Sequence, residues 1–150
     1  MTPLTEQEYP RFSDAEYARR REALSRVMQR REVDHLLIVT DQRTGNAPQW
    51  VTGWPGTVEA FVIFSPDEPI TMHVEWYNHV PLAKRMAVKT EVIWGGHAGI
   101  DKVVDDLKRR GAKRVGFMGP LAYRKCRKLE GALEDSPEGW CSGLAWRKLW

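Results

Sequence analysis

Two spacings of apolar residues divide this chain of 150 residues. In the first, apolar side chains return every three or four positions, the signature of a helix with one buried stripe. Tyr17, Leu24, Val27 and Met28 do so. They predict a helix with Ser13 as N-cap, Glu16 closing a capping box, Phe12 stapled against Tyr17, and Arg19, Arg20, Glu22, Arg26 and Arg30 mostly on its solvated faces. Ile100, Val103, Val104 and Leu107 repeat the spacing, with Asp101 near the start, basic residues 108–110 in the last turn and Gly111 as the stop. Ala122, Cys126, Leu129 and Leu133 line the buried face of a last helix opened by Pro120. Over 75–86, Tyr77, Val80, Leu82, Ala83 and Met86 give a shorter helix, with Asn78 as cap and Pro81 tolerable only in its first turn.

In the second spacing apolar residues stand together in short runs, over 35–40, 60–64, 70–74, 90–94 and 114–118. Such runs read as strands, and unbroken ones as strands buried on both faces. The turn SPDEP between 60–64 and 70–74 predicts a hairpin. Helices alternating with strands in the second half imply parallel crossovers, so the sheet is expected to be mixed and the fold to be a layered α/β domain flanked by helices. Between the first two strands the chain is polar over 41–48, extended over 50–52, and broken at Gly53 and Gly56, with Trp50 and Trp54 at the break. Residues 1–11 read as an irregular arm and 12–135 as the domain. Residues 136–150, rich in Gly and Trp without a period, read as an irregular tail.

The order of these parts carries a resemblance. DHLLIV at 34–39, WVTGW at 50–54, the strand at 60–64, SPDEP at 65–69 and the strand at 70–74 follow one another as in the amino-terminal domain of the creatinase, prolidase and Xaa-Pro aminopeptidase family. Residues 12–134 can be laid on that domain, whose fold is related to ribonuclease H. The resemblance implies that this is a non-catalytic dimerisation and substrate-walling domain. The family's two divalent metal ions are bound in a carboxyl-terminal catalytic domain, and the resemblance leads to the expectation that this domain is absent from the chain. It therefore implies no cofactor and no catalytic residue here, a homodimer, and a catalytic domain as partner. The positions matching the family's substrate-walling loop are Trp54, Thr57 and Glu59, with Trp50 behind them. Pro55 to Glu59 holds no counterpart of the arginine with which some members grip a carboxylate. An independent protein-binding or scaffold module on the same fold is the alternative.

Composition narrows the remaining classes. A chain of this length makes one domain burying roughly two-thirds of its unfolded surface. The net charge of +3 is small, and basic residues interleaved with Glu22 on a helix read as a solvated face, so no nucleic-acid partner is expected. Cys126 and Cys141 are too few for a disulfide framework or a thiolate metal site. No apolar run is long enough to span a membrane and the amino terminus lacks the order of a secretory signal, so no membrane partner is expected and the expected compartment is the cytoplasm. His73, Glu75 and His79 form the one tight cluster of His and carboxylate residues, but no single regular element brings all three together, so a structural role is expected. His35 reads as a satisfied polar residue at the edge of the sheet, and His97 as a loop residue without a partner nearby in sequence. Cys126 reads as an inert thiol on a helix stripe. The glycines of GGHAG at 95–99 lack the lysine of a phosphate loop and read as a turn. Asp34 and Asp41 bracket the first strand instead of lying within it, which argues against nuclease chemistry on this fold.

Overall fold

A computed structural model describes residues 11–41, 46–56 and 58–134. In chain order the elements are α1 (Asp14–Arg30), β1 (His35–Thr40), α2 (Ala47–Thr52), β2 (Ala60–Phe64), β3 (Ile70–Val74), a 3-10 turn (Tyr77–His79), α3 (Val80–Met86), β4 (Thr90–Trp94), a second 3-10 turn (Gly96–Ala98), α4 (Gly99–Arg109), β5 (Val115–Met118) and α5 (Tyr123–Glu134). The strands form one sheet in the order β4-β3-β2-β1-β5. β2 pairs antiparallel with both β1 and β3, while β3 with β4 and β1 with β5 are parallel. The expected mixed α/β sheet and the β2–β3 hairpin are therefore present. Of the expected arm at 1–11 only Arg11 is described, the expected tail at 136–150 lies outside the described residues, and no described helix is long and apolar enough to cross a membrane.

The unbroken apolar runs follow from burial on both faces. Every residue of β1, β2 and β3 is buried. Leu36, Ile38, Val62, Phe64, Ile70, Met72 and Val74 face one core together with Leu24 and Met28 of α1, Val51 of α2 and Ala83 of α3. Leu37, Val39, Phe61 and Ile63 face the other, against Ile100, Val103, Val104 and Leu107 of α4 and Leu129 of α5. Cys126 is half-buried, and Ala122, expected on the buried face of α5, is exposed. The side chain of Leu133 lies outside what is described. Pro81 falls in the first turn of α3 as expected, although Asn78 precedes that helix within the 3-10 turn and does not cap it.

The segment 50–52 is helical, not extended. Pro48 lies in the first turn of α2 and Gly53, at φ 85°, ends it in the left-handed conformation, its N–H donating to the Gln49 carbonyl at 2.8 Å. Proline just inside the start and glycine just past the end are the marks of a helix, and here they outweigh the β-branched Val51 and Thr52. A Cβ on Gly53 would stand 2.7 Å from the Tyr17 hydroxyl, so glycine is needed for close approach as well as for φ.

Arg20 also departs from expectation, since it is buried and not solvated. Its guanidinium lies 4.0 Å from the Phe12 ring centroid and 5.4 Å from that of Trp50, and it donates to Glu16 (2.8 Å) and to the Trp50 carbonyl (3.2 Å). Arg21 donates to the carbonyls of Val51 (3.2 Å) and Val88. The last carbonyls of a helix lack intrahelical partners. Two arginines of α1 satisfy those of α2. Ser13 caps α1 by accepting the Glu16 N–H (3.2 Å), whereas the Glu16 carboxylate holds Arg19 and Arg20. Phe12 meets Tyr17 edge-on, with centroids 6.3 Å apart, as the staple predicts.

Under α4 the sheet turns polar. Thr71 and His73 of β3 are buried and meet Asp106, itself 3% exposed. Thr71 Oγ1 donates to Asp106 Oδ2 at 2.7 Å, His73 Nε2 stands 3.4 Å from the same oxygen, and Arg110 Nε donates to Oδ1 at 3.0 Å. Arg110 continues to Glu68 (2.8 Å), which lies 3.6 Å from His35 Nε2. Burial pushes the Asp106 carboxyl up, but donors from Thr71, Arg110 and Arg109 outweigh it and hold the group well below the usual carboxylate range. Burial pushes the His73 imidazole below its ordinary value, and Asp106 offsets this only in part.

Both groups weaken the fold in acid. Below the ordinary His value the unfolded chain takes a proton that native His73 refuses. Below the ordinary carboxylate value it takes one that native Asp106 refuses. Asp106→Asn is expected to lose about 1–3 kcal/mol at pH 7, because a neutral amide satisfies its charged and hydroxyl donors less well. Urea unfolding at pH 7 and pH 3 checks it: the gap between variant and native chain narrows as pH falls through the carboxylate range. An equal gap at both pH values overturns the assignment.

Candidate functional site

The carboxyl ends of β1, β3, β4 and β5 and the start of β2 lie at one end of the sheet. In open α/β sheets this is the end where ligands are usually bound. Gly119, at φ 113°, turns the chain there directly over β1, so that a Cβ would overlap the Val39 carbonyl oxygen. Of the expected contact positions, Glu59 stands here directly before β2 and Trp54 packs against His79 just beyond β3, and they differ in what they present.

Trp54 is buried, 5% exposed, among the residues of the first core. Its backbone N–H donates to Thr52 Oγ1 at 3.1 Å, and its ring meets His79 edge-on with centroids 6.1 Å apart. Its indole Nε1 has no partner among the described residues. Trp54 therefore does not face solvent as a place in the family's walling loop would imply: the left-handed turn at Gly53 precedes an inward side chain, and an inward hydrophobic residue often follows such a cap. Trp50, taken as packing behind it, is the exposed member of the pair, at 40%.

Thr57 lies outside the described residues. Glu59 is buried and forms an ion pair with Lys125 of α5. Burial raises its carboxyl above the ordinary value, Lys125 partly opposes this, and the negative charges of Glu75 and Asp41 add to the rise. Glu59 thus ties the start of β2 to α5 while sharing its end of the sheet with two further carboxylates.

His73, Glu75 and His79 do not converge. His73 is held on the α4 side by Asp106, and His79 packs against Trp54 and Trp76. Among the described residues no three His, Cys, Asp or Glu side chains are grouped to hold a metal ion. His97 has a partner after all, its Nδ1 lying 3.7 Å from Glu75 Oε1. His35 is buried within β1, an inner strand, and not at the edge of the sheet. Its Nδ1 lies 2.8 Å from Asp34, whose carboxylate accepts the backbone N–H groups of Lys113 and Arg114. Burial raises the Cys126 thiol above its ordinary value, with Glu130 beside it, which suits an inert side chain.

What this end does present is aromatic. Trp76, Tyr77 and Trp94 are 49%, 69% and 48% exposed. Tyr77 and Trp94 meet edge-to-face with centroids 5.5 Å apart, and the Trp94 indole donates to the Glu75 carbonyl at 3.1 Å. Lys102 of α4 places its ammonium 5.1 Å from the Trp94 ring centroid. Counting Tyr77 toward a helix stripe and Trp94 toward a strand hid this cluster. The available signal was position, since both stand just past or at the last residue of a strand that leads into a ligand-type loop.

No protein-family model matches the chain. No curated protein matches it in sequence. Solved structures do match in shape. The Xaa-Pro dipeptidase from Bacillus anthracis superposes with a TM-score of 0.66 at 19% identity, over 79% of this chain and 32% of the dipeptidase, so the chain is matched to about a third of that protein. The creatinase/prolidase-like N-terminal domain of a Corynebacterium diphtheriae protein superposes with a TM-score of 0.63 at 16% identity, over 81% of this chain and 90% of the domain. The N-terminal domain of the cytoplasmic peptidase PepQ from Mycobacterium tuberculosis H37Rv gives 0.64 at 17%, over 79% and 87%. At such identities the likeness is one of architecture: the chain has the fold of the creatinase/prolidase-like N-terminal domain of Xaa-Pro peptidases.

Proposed function

We propose that this chain is a non-catalytic amino-terminal domain of the creatinase and Xaa-Pro peptidase type, acting in the cytoplasm as a homodimer. It would wall the active site of a metal-dependent hydrolase domain carried elsewhere. The observation that carries this reading is the superposition on two N-terminal domains over most of their length, set beside the match to only a third of a whole dipeptidase. The two divalent metal ions of such hydrolases belong to the other domain in this reading. Thr57 and Glu59 remain the proposed substrate-side contacts, with Trp54 supporting them from within the core.

The purified chain is accordingly expected to show no turnover of Xaa-Pro dipeptides or creatine in cobalt, manganese or zinc. Metal-dependent activity that rises with purity overturns the reading. A second reading, an independent protein-binding module, is favoured by one observation: three large aromatic side chains stand exposed together at the ligand end of the sheet. Exposed clusters of this kind are typical contact anchors.

A further inference from the structure

The geometry points to a docking surface for an arginine-bearing peptide segment at Trp76, Tyr77 and Glu75, an assignment that stands whether or not the hydrolase reading holds. Three features of this surface select that occupant. First, the aromatic faces are rigidly set. Trp94 is pinned by its indole bond to the Glu75 carbonyl and holds Tyr77 edge-on, and Trp76 leans on His79 with centroids 5.5 Å apart. Second, the protein already seats a cation of its own on this cluster: Lys102 Nζ stands over the Trp94 ring and donates to the Trp94 carbonyl at 2.7 Å. Tyr77 and Trp76 offer further aromatic surface of the same kind to solvent.

Third, the charge is complementary. The Glu75 side chain is 25% exposed, and among the described residues its ionic partner is His97, at 3.7 Å and itself 96% exposed. Glu59 lies close enough behind to feel the negative charges of both Glu75 and Asp41, and Lys125 is committed to Glu59. An incoming guanidinium displaces the His97 ring, which leaves freely to water. It then lies flat on Tyr77 or Trp76 while its fork reaches the Glu75 carboxylate. Arginine suits this better than lysine, because its planar, weakly hydrated head stacks on rings and bonds a carboxylate through two N–H groups at once.

Calorimetric titration of the full 150-residue chain with acetyl-Ala-Arg-Ala-Arg-Ala-amide, and with the same peptide carrying glutamine for arginine, tests the assignment. Saturable binding of the arginine peptide is expected, at least tenfold tighter than the glutamine peptide and weakening with salt. Glu75→Gln and Tyr77→Ala should each lose tenfold or more in affinity with an unchanged melting temperature, while Trp50→Ala, whose ring lies against Arg20 of α1, leaves affinity unchanged. Equal affinity for the two peptides, no binding at all, or insensitivity to Glu75→Gln overturns the proposal. So does a self-association, read by sedimentation, that Tyr77→Ala abolishes, since that would give the surface to a second copy of the chain.

Discussion

Trp54→Ala is expected to destabilise the fold by about 3–5 kcal/mol, the range for deleting a large aromatic side chain from a packed core. The ring is 5% exposed and belongs to the core that includes Val51, Val74 and Val80. It follows a helix cap, Gly53, that packs closely on Tyr17. In a domain of this size such a loss lowers the melting temperature by about 10–20 °C. Thermal and urea unfolding decide the point: a change within about 1 kcal/mol would mean that Trp54 faces solvent, as its place in a walling loop suggested.

Leu107→Asp is expected to be as damaging or worse. Leu107 is fully enclosed in the core beneath α4, and an aspartate there has no cation to meet among the apolar side chains around it. An uncompensated buried charge costs several kcal/mol, a large part of the roughly 5–15 kcal/mol that holds a domain together. Arg26→Ala provides the contrast. Its partner Glu22 is 3.6 Å away and both side chains are more than half exposed, so the change should stay within about 0.5 kcal/mol. Equal shifts in the two denaturation midpoints would contradict the placement of α4.

Both predictions bear on what could be read from residues alone. Leu107 was legible because a helix stripe repeats: four apolar residues at helical spacing, bounded by Asp101 and Gly111, fix a helix and its inner face. The strands were legible for a similar reason, since apolar runs of five or six residues fit burial on both faces of a sheet. The direction of Trp54 was not legible because it depends on one backbone angle, the φ of Gly53, and on recognising α2, a helix of six residues. The proline and glycine at its two ends were the signal, and the β-branched residues between them pulled the reading toward a strand.

The arginines of α1 misled for another reason. Burial of Arg20 is a tertiary event, arising from the Trp50 carbonyl in the last turn of α2 and the flanking rings of Phe12 and Trp50. No local spacing announces it. The aromatic end of the sheet was hidden in the same way: Tyr77 and Trp94 are 17 positions apart, and only the parallel pairing of β3 with β4 makes them neighbours.

The parallel pairing of β1 with β5 joins His35 to Val115, whereas every other strand pair links consecutive strands. During synthesis, β1 to β4 can therefore assemble while the outer side of β1 still lacks its neighbour. That side belongs to HLLIVT, a run with no proline and no charge beyond its histidine. Such a strand is a template for pairing with other chains, and the contact that covers it closes a long loop and so forms late. The nascent chain consequently carries an aggregation hazard in a strand that ends up buried on both faces, until β5 leaves the ribosome and pairs with it.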